Sequence, residues 1–121
     1  MQLNLEGNPA KYQINGYTAN SVTVSGKVYS QSILIMPQYL SLWDLKTITE
    51  LSQQSLLDLA ALQPEIILLG TGSQLVFPAP AIIQVLYAQR IGMETMTTAA
   101  ACRTYAALTA EGRNVLAALI V

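Results

Sequence analysis

The chain has 121 residues, enough for one domain with a real core and too few for two. Charged residues make up 11%, well under the roughly 25% usual in soluble domains, while 52% are hydrophobic, so apolar side chains are left for the surface. The net charge is −1 and the six cations are scattered, which excludes the basic footprint that binding to nucleic acid requires.

In chain order, everything up to Met36 reads as strands. Residues 21–30, "SVTVSGKVYS", alternate apolar and polar around Ser25-Gly26, a hairpin turn signal. "SILIM" is a strand stopped by Pro37, and residues 38–48, including Trp43, read as a connector. Ser52 caps a helix predicted over 53–62, with Leu56, Leu57, Leu59 and Ala60 on its apolar side and Pro64 beyond its end. "EIILLG" is a short, continuously apolar run, the pattern of a strand covered on both faces.

Pro80 suits the first turn of a helix lined by Ile82, Val85 and Leu86, predicted to run to about Arg90 and to stop at Gly92. "METMT" is a further strand. Thr98 is predicted to cap a helix that ends with Gly112, and residues 115–121 form a last strand. A hairpin followed by alternating strands and helices predicts an α/β fold, a sheet covered by helices with right-handed crossovers between parallel neighbours.

Histidine is absent, so no Ser-His or Cys-His nucleophile pair and no imidazole metal ligand exists. The single cysteine excludes an internal disulfide and a zinc site, and it fits a reducing cytoplasm. The longest apolar run has seven residues (115–121), far short of a membrane span, and the N-terminal "MQLNLEGNPA" lacks the features of a signal peptide. No catalytic residue, metal or cofactor is assigned, and direct membrane insertion is not expected.

Ligands of open α/β sheets bind beyond the carboxyl ends of the strands. Gly70, Thr71, Gly72 and Ser73 follow one strand, and Thr97 and Thr98 follow another; neighbouring strands would place both loops on one crevice. The Gly-Thr-Gly segment lacks the third glycine of a dinucleotide fingerprint and the lysine of a P-loop, and Phe77, Pro78 and Pro80 delay the next helix. Its glycines are therefore read as a tight exit from a buried strand. Arg103, near a helix start with no carboxylate, is a candidate anion ligand, with an ion pair to Glu94 or Glu111 as the alternative. Cys102, flanked by alanines, is read as core filler. Tyr12, Tyr17, Tyr29, Tyr39 and Trp43 form a candidate partner surface with at least two rings exposed together, unless they fold back over the second face of the sheet.

The motifs "ILLGTG", "FP", "IGMETMTTAAACRTY" and "EGR" before an apolar strand occur in order and at matching spacing. On these motifs the sequence resembles the Mth-domain family, uncharacterised α/β domains that include a mitochondrial respiratory complex I assembly factor. The resemblance covers residues 30–121. It implies a three-layer fold on a mixed central sheet with an additional N-terminal β layer, and an assembly or interaction role tied in bacteria to membrane-protein biogenesis. Arg90-Ile91-Gly92 stands where the family pattern reads Gly-Ile-Gly, and Ala106 replaces an asparagine, so a role for that asparagine is not inherited.

The leading expectation is a cytoplasmic, non-enzymatic domain that binds a protein partner, with self-association left open. The alternative is a small-molecule or anion-binding domain, or a weak enzyme, using the strand-end crevice.

Overall fold

The computed structural model describes residues 8–121. Most of the N-terminal stretch read as lacking signal-peptide character lies outside the described residues. Three short antiparallel strands come first, β1 (Ile14–Thr18), β2 (Ser21–Val24) and β3 (Lys27–Tyr29). Ser25 and Gly26, with φ of 48° and 89°, supply the left-handed pair that a two-residue hairpin between β2 and β3 needs.

A second sheet has five strands in the order β5-β4-β8-β6-β7. Its members are β4 (Ile33–Met36), β5 (Tyr39–Leu42), β6 (Ile66–Gly70), β7 (Gly92–Met96) and β8 (Val115–Leu119). β6 is parallel to β7 and β8, while β4 is antiparallel to β5 and β8, so the sheet is mixed. The helices are α1 (Gln53–Ala60), α2 (Pro80–Ile83), α3 (Val85–Gln89) and α4 (Thr98–Ala110).

Alternation along the strands divides the core into two faces. Leu116, Ala118 and Ile120 face the side covered by Leu56 and Leu59 of α1 and Leu86 of α3. Val115, Ala117 and Leu119 face Ala101, Cys102 and Tyr105 of α4, together with Ile14, Val22 and Val24 of the small sheet. The result is a three-layer α/β arrangement whose α4 layer carries the additional β-sheet.

Several local expectations are corrected. Residues 38–48 are not a plain connector: β5 pairs with β4 through a two-residue turn at Pro37-Gln38, and Ile48–Glu50 form a 3-10 turn. Pairing with β4 makes β5 a strand; its own four residues are too few to announce one. The helix predicted to end at 62 closes at Ala60. The helix predicted up to Arg90 is two short segments, α2 and α3, a division that the β-branched residues Ile82, Ile83 and Val85 favour. Arg90 terminates α3 in the left-handed region (φ 56°), and Gly92 instead opens β7. Thr97, not Thr98, is the N-cap of α4: its hydroxyl accepts from the Ala100 N–H.

Candidate functional site

The connection after β6 runs to α2 and α3 on one face of the sheet, and the connection after β7 runs to α4 on the other. Two adjacent parallel strands whose connections part in this way leave a crevice at their carboxyl ends. Both predicted loops meet there.

They meet by hydrogen-bonding to each other. The Thr71 N–H donates to the Met96 carbonyl (2.9 Å), and the Thr98 N–H donates to the Gly72 carbonyl (2.9 Å). The Gly72 N–H donates to Thr98 Oγ1 (2.8 Å), and that hydroxyl donates to the Ile120 carbonyl (2.6 Å). The Thr71 hydroxyl donates to the Gln74 carbonyl (2.6 Å) and accepts from the Val76 N–H (3.2 Å). A phosphate loop needs its N–H groups aimed at the ligand; here the Thr71 and Gly72 amides are taken up by Met96 and Thr98 at the neighbouring loop.

The two glycines have separate reasons. Gly72 has φ 96°, the left-handed region. At Gly70 an added Cβ would meet Leu119 Cδ2, Thr98 Cα and Thr98 Oγ1, each at 3.0 Å, so the bare backbone of β6 lets the start of α4 close down.

What remains open is a cleft of about 230 Å³ between these loops and the β1–β2 turn, lined among others by Tyr17, Ser21, Ser73, Thr97 and Ala99. Arg103 stands beside it rather than in it. Its Nη1 donates to the Tyr17 hydroxyl (2.7 Å), with the guanidinium 6.0 Å from that ring's centroid. The bonded partner is thus neither Glu94 nor Glu111. The cleft offers hydroxyls, the Tyr17 phenol among them, and main-chain groups, with no Asp, Glu, Lys, Arg or Cys side chain in its described lining, so it suits a small polar molecule. Among the described residues, no group of three or more His, Cys, Asp or Glu side chains comes together to hold a metal ion.

Cys102 is buried in the core, and burial pushes its thiol up to about 12 against the opposing pull of Arg103. Burial likewise raises the Tyr105 phenol, whose hydroxyl donates to the Tyr12 carbonyl (2.8 Å). Such a thiol holds its proton and is a poor nucleophile.

The five aromatic residues predicted as a partner surface are dispersed. Tyr12, Tyr17 and Tyr29 are half-buried against the α4 face, and Trp43 packs against the α1 face. Only Tyr39 among them is exposed, at 39%. The larger apolar exposure lies at Leu75 (49%), Val76 (42%) and Phe77 (70%), in the loop that Thr71 braces. A signal for it was available in the sequence: residues 66–89 contain no Asp, Glu, Lys or Arg. Among the described residues, no helix is long and apolar enough to cross a membrane.

Residues 14–120 match a family described as protein of unknown function (DUF498/DUF598). The chain belongs to the DUF498 family. Solved structures share the fold. A Bordetella parapertussis protein is 32% identical, with a TM-score of 0.86 over 91% of this chain and 95% of its own. A Bordetella pertussis protein described as an Mth938-like domain is 27% identical, with a TM-score of 0.80 over 98% of this chain and 91% of its own. The NADH dehydrogenase [ubiquinone] 1 alpha subcomplex assembly factor 3 of Mus musculus is 28% identical over 114 residues, 93% of this chain and 62% of that protein. Its Bos taurus counterpart is 27% identical over the same shares. The DUF498 domain described here therefore spans less than two thirds of those relatives.

Proposed function

We propose that this DUF498 domain acts as a non-enzymatic, cytoplasmic assembly factor that works by binding another protein, in a process tied to membrane-protein biogenesis. The reading is supported by the likeness to assembly factor 3. The observation that carries it is the exposed run Leu75-Val76-Phe77, three consecutive large apolar side chains on a braced loop. Leaving such a run in water is unfavourable, and large apolar and aromatic side chains presented together are where binding energy concentrates. The cleft at the strand ends, by contrast, has no Asp, Glu, Lys, Arg or Cys side chain in its described lining.

The test is affinity capture from the native organism with the wild-type domain and a Phe77→Ser variant. Capture of a discrete protein by the wild type is expected, with at least about a ten-fold loss for the variant, the scale of an interface hot spot. The melting temperature should stay nearly unchanged, because Phe77 is exposed. Equal capture by both proteins, or no captured protein, would overturn the reading.

A further inference from the structure

We infer that the outer edge of β5 is a docking site for an extended strand of a partner protein, one that presents lysine or arginine toward α1. The inference rests on the interaction reading above and names its surface.

The backbone comes first. The Pro37-Gln38 turn pairs Met36 with Tyr39, and the Trp43 N–H donates to the Ser32 carbonyl (2.8 Å). Antiparallel alternation then directs the N–H and C=O of Leu40 and Leu42 away from β4, into the open side of the sheet. Among the described residues four strands form the edges of the two sheets, and three carry a feature that discourages pairing. β3 begins with Lys27, β1 has an irregular register between Ile14 and Gly16, and β7 holds the exposed Glu94. β5, Tyr-Leu-Ser-Leu, has no charge, proline, glycine or bulge, and Leu42 is 60% exposed. Such an edge is a template for another strand.

The chemistry beside that edge selects the occupant. A cleft of about 470 Å³ lies between β5 and α1, and it contains both Asp44 and Asp58 among Tyr39, Ser41, Trp43 and Leu62. α1 itself carries no cation, and the ion pair formed among the described residues, Arg113 with Glu65, lies elsewhere. A second cleft on the other flank is lined by Lys46 together with Asp44, Leu42 and Val121, so Asp44 borders both while Asp58 lines only the α1 side. A strand added to β5 would alternate its side chains, cationic toward Asp44 and Asp58 and apolar toward Leu42.

Register also links this edge to the exposed loop. Gly70 pairs with Leu119, Leu119 with Ile33, and Ile33 with Leu42, so the end of β5 and the start of the Leu75–Phe77 loop share one end of the sheet. Three strand spacings separate them, about 14 Å, well within one protein interface.

The experiment uses the full chain, labelled with nitrogen-15, and short synthetic peptides of alternating valine and lysine, or of valine and glutamate. The lysine peptide should slow amide exchange at Leu40 and Leu42 and bind about ten-fold more tightly than the glutamate peptide. Methylating alternate peptide nitrogens should abolish binding, Leu42→Lys should weaken it about ten-fold, and Asp44→Asn with Asp58→Asn should erase the preference for lysine. Equal binding of both peptides, or protection elsewhere, overturns the inference. So does a doubled mass that Leu42→Lys restores to that of one chain, since the occupant would then be a second copy. If the wild type captures its native partner and Leu42→Lys captures it equally, the edge is overturned while the interaction reading stands. If the wild type captures nothing, the interaction reading falls and the peptide experiment decides the edge alone.

Discussion

Gly70 has no Cβ because there is no room for one. Its φ is ordinary, so conformational freedom is not the reason; the atoms 3.0 Å from the missing carbon are. One of them, Thr98 Cα, belongs to the backbone of α4 and cannot rotate aside. Gly70→Ala is therefore expected to push α4 away from β6 and cost about 1–3 kcal/mol, read as a lower denaturant midpoint at constant m-value. It should also loosen the bond from the Gly72 N–H to Thr98, so the Gly72 amide should exchange faster with solvent. A variant as stable as the wild type would show that the contact relaxes freely. Arg90 is the reverse case, a side chain held at φ 56° where the Mth-domain pattern has glycine. There the Arg90 N–H donates to the Leu86 and Tyr87 carbonyls and closes α3.

Among the elements, β8 has the greatest structural weight. It pairs with β4 on one side and β6 on the other, and all five of its residues are buried. Residues 115–121 also alternate between the two core faces, as β4 and β6 do. Burying the six apolar side chains from Val115 to Ile120 contributes on the order of 10 kcal/mol, comparable to the net stability of a whole domain. A chain ending at Asn114 is thus expected to lack a cooperative thermal transition and to aggregate. A truncated protein that melts in one sharp step would contradict this placement. α2 and α3 are the opposite kind of element. They are short and partly exposed, and in them only Leu86 is buried.

The whole molecule has a predictable response to alkali. Cys102 and Tyr105 are neutral when protonated, and burial favours that form in the native state. The unfolded chain releases the Cys102 proton near its ordinary value of 9.0, while the folded chain holds it to about 12. The stabilisation is fully present below pH 9.0 and is lost as pH rises from there toward 12, by up to about 1.4 kcal/mol per pH unit for each group. Tyr105 adds its share above 10.0, its ordinary value. Melting temperatures should stay level up to pH 9.0 and fall above it, and Cys102→Ala should remove the part that begins first. A flat profile would mean that neither proton is held by burial.

Local chemistry determined much of this protein directly from its residues. The Ser25-Gly26 hairpin, the cap at Ser52, the buried strand at "IILLG" and the stop at Gly112 each depend on side chains within a few positions, so each was legible in order. The same holds for the missing histidine and for the low charge. The α/β class and the meeting of the two loops followed from alternation and from the rule for crevices. Tertiary structure alone decided the rest. β5 exists because β4 lies beside it, which no pattern of four residues states. Whether Tyr12, Tyr17 and Tyr29 face a partner or fold back over the sheet was open in sequence, and they pack against the core face that α4 covers. The Thr71 and Gly72 amides look available and are occupied, since their partners at Met96 and Thr98 lie some 25 residues away in the chain. Arg103 finds Tyr17 across 86 positions. Sequence proximity sets caps and turns; which distant group satisfies a donor is set only when the sheet closes.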